Sequence, residues 1–355
     1  MKLKQFLLLS LTILSFQVSQ AQKSNTQFSG YGYLEYELDF SGGPTSYFYL
    51  GEHSFFVNSK LNDKISFLGE YVIRFNGNSS TSFLPSIERS LVKYNYYKNH
   101  NIIVGKIHTP VNYWNDSYHH GRLFFPVMDR PISFSYLVPL HTLGIQFQGQ
   151  NLGDMNFGYD FVIGNGISST DVMSDSKNTS FTAAVHMKPT DDMRIGASFY
   201  YDFLDKNRSG IHSGHSAPRT HYTGKLYTGA LNYTLTSFSF ANFTKTYEIL
   251  NELSYNTTST DSLGLAKNFA NFFYAGLRFK DKHTPYVVID FMKIAGNDLH
   301  TYPYEVGTFG VGYKYEFSPL FNLKFQVQYD RQMSNHATHK INKFFGSEIQ
   351  LAYGF

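Results

Sequence analysis

Six side chains able to carry charge crowd one irregular stretch of the chain: Asp116, His119, His120, Arg122, Asp129 and Arg130. They lie within Ile102 to Pro131 (IIVGKIHTPVNYWNDSYHHGRLFFPVMDRP), which also holds the single tryptophan, Trp114. The stretch opens as a strand, Ile102 to His108, and leaves regular pattern at Pro110. Groups of both signs on one segment suit an electrostatic task. Facing Arg74, Arg89, Lys93 and Lys106 on neighbouring strands across a narrow opening, they would create a transverse field that orients polar solutes. Fixed charges at such a point set ion preference. These ten residues are the candidate constriction. Strand parity leaves open whether Arg89 and Lys93, or Glu88 and Ser90, face inward, because both faces there are mixed.

Other chemistry finds less support. His119-His120, His212-His215 with His221, and His336-His339 have spacings short enough to chelate Zn or Cu. The latter two groups fall in polar loops, with no cysteine to help them, so solvated loop residues are the better reading and no metal or cofactor is expected. Imidazole in a pore would make its charge pH-dependent. No GxSxG elbow, Walker loop or HExxH helix is present, so no enzyme activity is expected.

The elements that position these groups can be read from the ends inward. Lys2 and Lys4 precede an apolar run, Phe6 to Phe16, too short to span a bilayer, and Ser19 and Ala21 offer a cleavage point. Residues 1–21 are therefore expected to be a signal peptide, with one exported domain over 22–355. The 355 residues include no cysteine, which removes disulfides and thiolate sites. A formal charge of +3 gives no reason to expect nucleic acid. Aromatics make up 18% of the chain, as 34 Phe and 28 Tyr, yet mean hydropathy is only −0.29. A transmembrane barrel needs a single apolar face and accounts for that combination, as does a soluble sandwich.

Period-2 patterning separates the two. Ile65, Phe67, Tyr71 and Ile73 alternate with Ser66, Glu70 and Arg74. Leu323, Phe325, Val327 and Tyr329 alternate with Lys324, Gln326, Gln328 and Asp330. Read through to Phe355, the pattern predicts sixteen strands, with hairpin turns at Asn62 to Lys64, near Thr236-Ser237 and at Ser318 to Phe321 among others. The connections sort by parity. Those after even-numbered strands are short, and those after odd-numbered strands are mostly long and polar, as Asn76 to Phe83, Asp205 to His221 and Asn251 to Lys267. A soluble sandwich has no reason to sort its loops in this way, whereas an outer-membrane barrel does. Inward positions are expected to be polar, and Glu70, Arg74, Arg194, Asp202, Asp290, Lys314, Glu316, Glu348 and Gln350 share that parity.

The final strand ends Ile349, Leu351, Tyr353, Phe355 on one face. A last strand with a terminal aromatic resembles the signal that outer-membrane proteins present to their insertion machinery. The strand count and the long loop after strand five resemble Gram-negative porins. The wording of IERSLVKYNYY and VGKIHTPVNYWND is similar to Bacteroidetes-type porin-like proteins and, distantly, to phosphate-selective porins. That resemblance implies a sixteen-stranded antiparallel β-barrel in the cell outer membrane, with the loop after strand five folded inward, and a homotrimer in contact with lipid. It implies passive diffusion of small hydrophilic solutes or ions. Selective anion or phosphate uptake, and a structural barrel in an export complex, are the alternatives.

Overall fold

The computed structural model describes residues 25–75, 83–118, 121–167, 178–204, 230–261, 263–298, 304–334 and 341–355. The expected signal peptide, His119, His120, His212, His215, His221, His336 and His339 lie outside the described residues.

Sixteen antiparallel strands form one closed barrel in which each strand pairs with its neighbours in sequence. They are β1 (Thr26–Asp39), β2 (Thr45–Lys60), β3 (Ile65–Phe75), β4 (Phe83–Tyr97), β5 (His100–His108), β6 (His141–Leu152), β7 (Phe157–Gly164) and β8 (Ser180–Thr190). Then follow β9 (Met193–Leu204), β10 (Leu231–Phe243), β11 (Tyr247–Thr260), β12 (Gly264–Leu277), β13 (His283–Lys293), β14 (Tyr304–Ser318), β15 (Phe321–Ser334) and β16 (Ile341–Gly354). β1 pairs with β16, Tyr33 opposite Ala352, and this seam removes every sheet edge.

Alternation fixes which face is which. Leu143, Ile145 and Phe147 are exposed on β6 while Thr142 and Gln146, on the alternate positions, are buried. Phe325 and Tyr329 are exposed on β15 while Lys324 and Gln326 are buried. The outside of the barrel is thus an apolar, aromatic band, and polar side chains turn inward, the inverse of a soluble protein.

Two sequence expectations differ from the structure. Thr236-Ser237 is not a turn; both lie inside β10, paired with Tyr255 and Ser254 of β11. The turn is at Thr244, whose Oγ1 accepts from the backbone N–H groups of Thr246 (3.2 Å) and Tyr247 (2.9 Å). Two residues without Gly, Asn or Asp poorly suit the positive φ of a two-residue hairpin loop, whereas a threonine can cap a wider one. The polar run Asn251 to Lys267 is not a loop either. It forms the end of β11 and the start of β12, with Thr257 opposite Lys267. Its inward Asn and Thr groups bond across the wall, as Asn268 Nδ2 to Asn256 Oδ1 at 2.6 Å.

A third difference concerns the interior. On β9 to β14 many inward residues are apolar or aromatic rather than polar, among them Tyr200, Tyr233, Phe272, Tyr274, Val288 and Met292. They form one buried cluster with Trp114, Phe125, Val127, Phe134 and Leu137, all from the connection between β5 and β6. That connection lies within the barrel.

Candidate functional site

The connection runs from residue 109 to 140 and contains two short helices, α1 (Tyr113–Ser117) and α2 (Ile132–Tyr136). Its two roots are tied together by Asn115, whose Nδ2 donates to the carbonyls of Thr109 (2.8 Å) and Leu140 (3.1 Å). Asn112 caps α1 at φ 58, accepting from the Asn115 N–H. β5 spans nine residues, shorter than β4 with fifteen, so the roots start well inside the wall. Just before them Gly105, at φ 138, lies opposite Gly144, and a Cβ on either would strike the backbone of the adjoining strand.

From its roots the segment crosses to the far wall and is held by inward side chains on five strands. Asn112 N–H donates to Ser198 Oγ on β9 at 3.0 Å. The N–H groups of Tyr113 and Trp114 both donate to Glu252 Oε2 on β11, at 2.8 and 3.0 Å. Ile132 N–H donates to Asp290 Oδ2 on β13 at 2.6 Å. Tyr233 on β10 donates to the Leu137 carbonyl. On β15, Asn322 Nδ2 donates to the Leu123 carbonyl at 2.7 Å and Lys324 Nζ to the Arg122 carbonyl at 2.5 Å. Trp114 is fully buried, its ring 5.0 Å from that of Phe125 and 5.1 Å from that of Phe272. Burying that ring is worth several kcal/mol, so the segment is a packed element and not a loose flap.

The charged residues form pairs that the sequence does not announce. Arg130 Nη2 bonds Glu52 Oε2 at 3.0 Å, and Glu52 Oε1 bonds Arg74 Nε at 2.9 Å. Arg74 Nη2 continues to Glu88 Oε1 at 2.7 Å, and Glu88 Oε2 lies 2.8 Å from His141 Nε2. His108 packs against His141, the rings 5.2 Å apart and tilted by 52°, and lies 3.8 Å from Glu70, which binds Arg89 Nε at 2.5 Å. One continuous ladder thus joins the segment to β2, β3, β4, β5 and β6. Elsewhere Arg122 binds Asp129 at 2.7 Å and lies over the rings of Tyr33 and Phe125. Burial works against its charge, yet Asp129, with Tyr33 and Glu35, holds the Arg122 pKa above its ordinary value. Asp116 binds Arg194 of β9 at 2.7 Å, and that guanidinium covers the ring of Tyr113. Burial pushes the hydroxyl of Tyr113 up, and that of Tyr118 well up, so both stay neutral.

The expected opposition of loop acids to Arg74, Arg89, Lys93 and Lys106 is therefore not the pairing observed. Those arginines are taken up by wall carboxylates, Glu52, Glu70 and Glu88. Lys93 is exposed and shares a cavity of about 600 Å³ with Arg89, His108 and Asp116, near the short turns. Lys106 alternates with Ile103 and Ile107, which line that cavity, and its Nζ is held by the Ile87 carbonyl at 2.6 Å. Asp129 and Arg130 line a second cavity, of about 340 Å³, toward the long connections. Parity places Glu70 inward, as it lies, but Glu52 sits where the alternation of β2 breaks, and Glu88 faces inward only through a bulge in β4.

No family model matches this chain, and no curated protein does. Solved structures do. The chain resembles OmpT, an outer-membrane protein of Vibrio cholerae, at 11% identity with a TM-score of 0.63, over 95% of this chain and 99% of that one. It resembles an anion-selective porin from Comamonas acidovorans at 10% identity and TM-score 0.65, over 94% of this chain and 100% of that one. The outer-membrane channel DcaP of Acinetobacter baumannii is similar at 10% identity and TM-score 0.64, over 94% and 97%. The fold is the sixteen-stranded barrel of the porins.

Proposed function

We propose that this chain is an outer-membrane porin, a passive channel for small hydrophilic solutes or ions. The observation that carries the reading is a closed barrel with an apolar outer band and an inward segment that leaves a cavity toward each end. The long connections face outside the cell and the short turns face the periplasm. Selection rests on pore width and fixed charge, with no covalent step. The constriction in this reading is formed by Asp116, His119, His120, Arg122, Asp129 and Arg130 beside Arg74, Arg89, Lys93 and Lys106. Among the described residues Arg74, Arg89 and Arg130 are each matched by a glutamate, which weighs against a dedicated anion channel. A homotrimer in lipid, assembled by the barrel-insertion machinery, completes the proposal.

A structural barrel is the second reading, and the apolar packing of the segment against β9 to β14 favours it. One experiment separates the two: single-channel conductance of the refolded barrel in a planar bilayer, with the reversal potential under a KCl gradient. Stable current steps support the channel. A correctly folded barrel that stays silent supports the structural role.

A further inference from the structure

The 340 Å³ cavity toward the long connections is bounded by residues 127–136 of the inward segment and by the inner faces of β12 to β16. Five charged groups line it: Asp129, Asp290, Asp330, Arg130 and Lys343. Two of them are already committed. Arg130 is neutralised by Glu52 at 3.0 Å, and Asp129 by Arg122 at 2.7 Å. Lys343 is exposed at the rim. That leaves Asp290 and Asp330 facing the space.

Asp290 is only 5% exposed. Its Oδ2 accepts from the Ile132 N–H, but its Oδ1 is buried with no hydrogen-bond partner. Asp330 lies across Thr308 from it and is only partly buried; its carboxyl group takes hydrogen bonds from Gln328, at 3.3 Å to Oδ2, and from the Thr308 hydroxyl. A buried carboxylate oxygen without a donor is costly, and such a group at a cavity wall is poised for a donor brought by a ligand. The remaining walls divide by chemistry. Gln326, Gln328 and Thr308 are polar, whereas Phe272, Val288 and Val306 are apolar. A space with apolar walls and a few converging polar groups is how small-molecule sites are built.

We propose that this cavity is a binding subsite for small organic cations: a primary ammonium that donates to Asp290 and Asp330, carried on a compact apolar body that lies against Val288 and Phe272. This deepens the channel reading and rests on it for access. Solutes of this class would pause here on the way to the narrower ladder at Glu52, while their neutral and anionic isosteres would not.

The test uses the detergent-folded full barrel and three probes of one shape: benzylammonium, benzyl alcohol and benzoate. Calorimetry should show binding of benzylammonium alone. Replacing both carboxylates, Asp290→Asn with Asp330→Asn, should weaken it by about tenfold or more, since a buried charge pair loses one partner. Asn keeps an acceptor for the Ile132 N–H; should the double variant misfold, Asp330→Asn alone should still weaken binding. Equal binding of benzyl alcohol, absence of benzylammonium binding to the folded barrel, or unchanged affinity in a folded variant overturns the proposal. Binding by a barrel that carries no current would sink the channel reading and leave the subsite standing.

Discussion

Glu88 and Arg89 are neighbours in sequence, yet both turn their side chains to the inside of the barrel. Ordinary strand geometry forbids this. The register explains it: Glu70 lies opposite Arg89 while Tyr71 lies opposite Ile87, so Glu88 is the extra residue of a β-bulge. The bulge lets Arg89 reach Glu70 and Glu88 reach Arg74 from a single stretch of β4.

The ladder should be worth stability. Glu88→Gln leaves His141 without its carboxylate and Arg74 with Glu52 alone. We expect a loss of about 2–3 kcal/mol in urea unfolding of the lipid-reconstituted barrel, toward the low side for a broken buried pair because Arg74 is partly exposed. An unchanged midpoint would mean that the ladder is solvated rather than structural.

Charge at the segment should set ion preference. Arg122→Ala with Arg130→Ala releases Asp129 and Glu52 from their partners. The reversal potential in a KCl gradient should move toward cation preference. Unchanged conductance and selectivity would remove these residues from the constriction.

Trp114 should hold the segment in place. Trp114→Ala empties the pocket between Phe125 and Phe272, at a cost of about 3–5 kcal/mol. A loosened segment should give larger, noisier current steps than the wild type. Because the chain has a single tryptophan, its intrinsic emission reports this site directly and should be blue-shifted in the native barrel. Emission typical of exposed indole would contradict the packing described.

The register of β10 and β11 can be tested by cross-linking, since the chain has no cysteine of its own. Ser237 and Ser254 face each other with hydroxyls 3.0 Å apart. Ser237→Cys with Ser254→Cys should form a disulfide on mild oxidation, seen as a gel shift. A hairpin at Thr236-Ser237 would instead bring Leu235 to Phe238, and Leu235→Cys with Phe238→Cys should stay reduced.

The wall was legible in the sequence because its outer face answers to a single solvent. Lipid demands apolar residues at every second position, and that demand reads out plainly in β6, β13 and β15. The inner face answers to several neighbours at once. Where it meets the segment it is aromatic, as at Tyr233 and Phe272; where it meets other polar side chains it is Asn, Thr and Ser, as at Asn256, bonded to Asn268, and Thr258, bonded to Asp298. The second kind looks like loop, which is why the β11–β12 hairpin was displaced. The ladder was harder still. Arg74, Arg89 and Arg130 stand out singly, but the carboxylates that bind them come from three strands, and one is brought inward by an insertion that no periodicity reveals.

The tip of the inward segment bears on how the barrel is assembled. Arg122 lies over Tyr33 of β1, while its carbonyl is held by Lys324 of β15. β16 runs between those two strands, and its pairing with β1 joins residues some three hundred apart in the chain. Contacts so distant form late, because the chain entropy they cost is recovered only when the ring shuts. The tip therefore touches strands on both sides of the joint that spans the greatest length of chain. Seated there it acts as a clasp, so that the segment packed inside the barrel also ties together the strands on either side of β16.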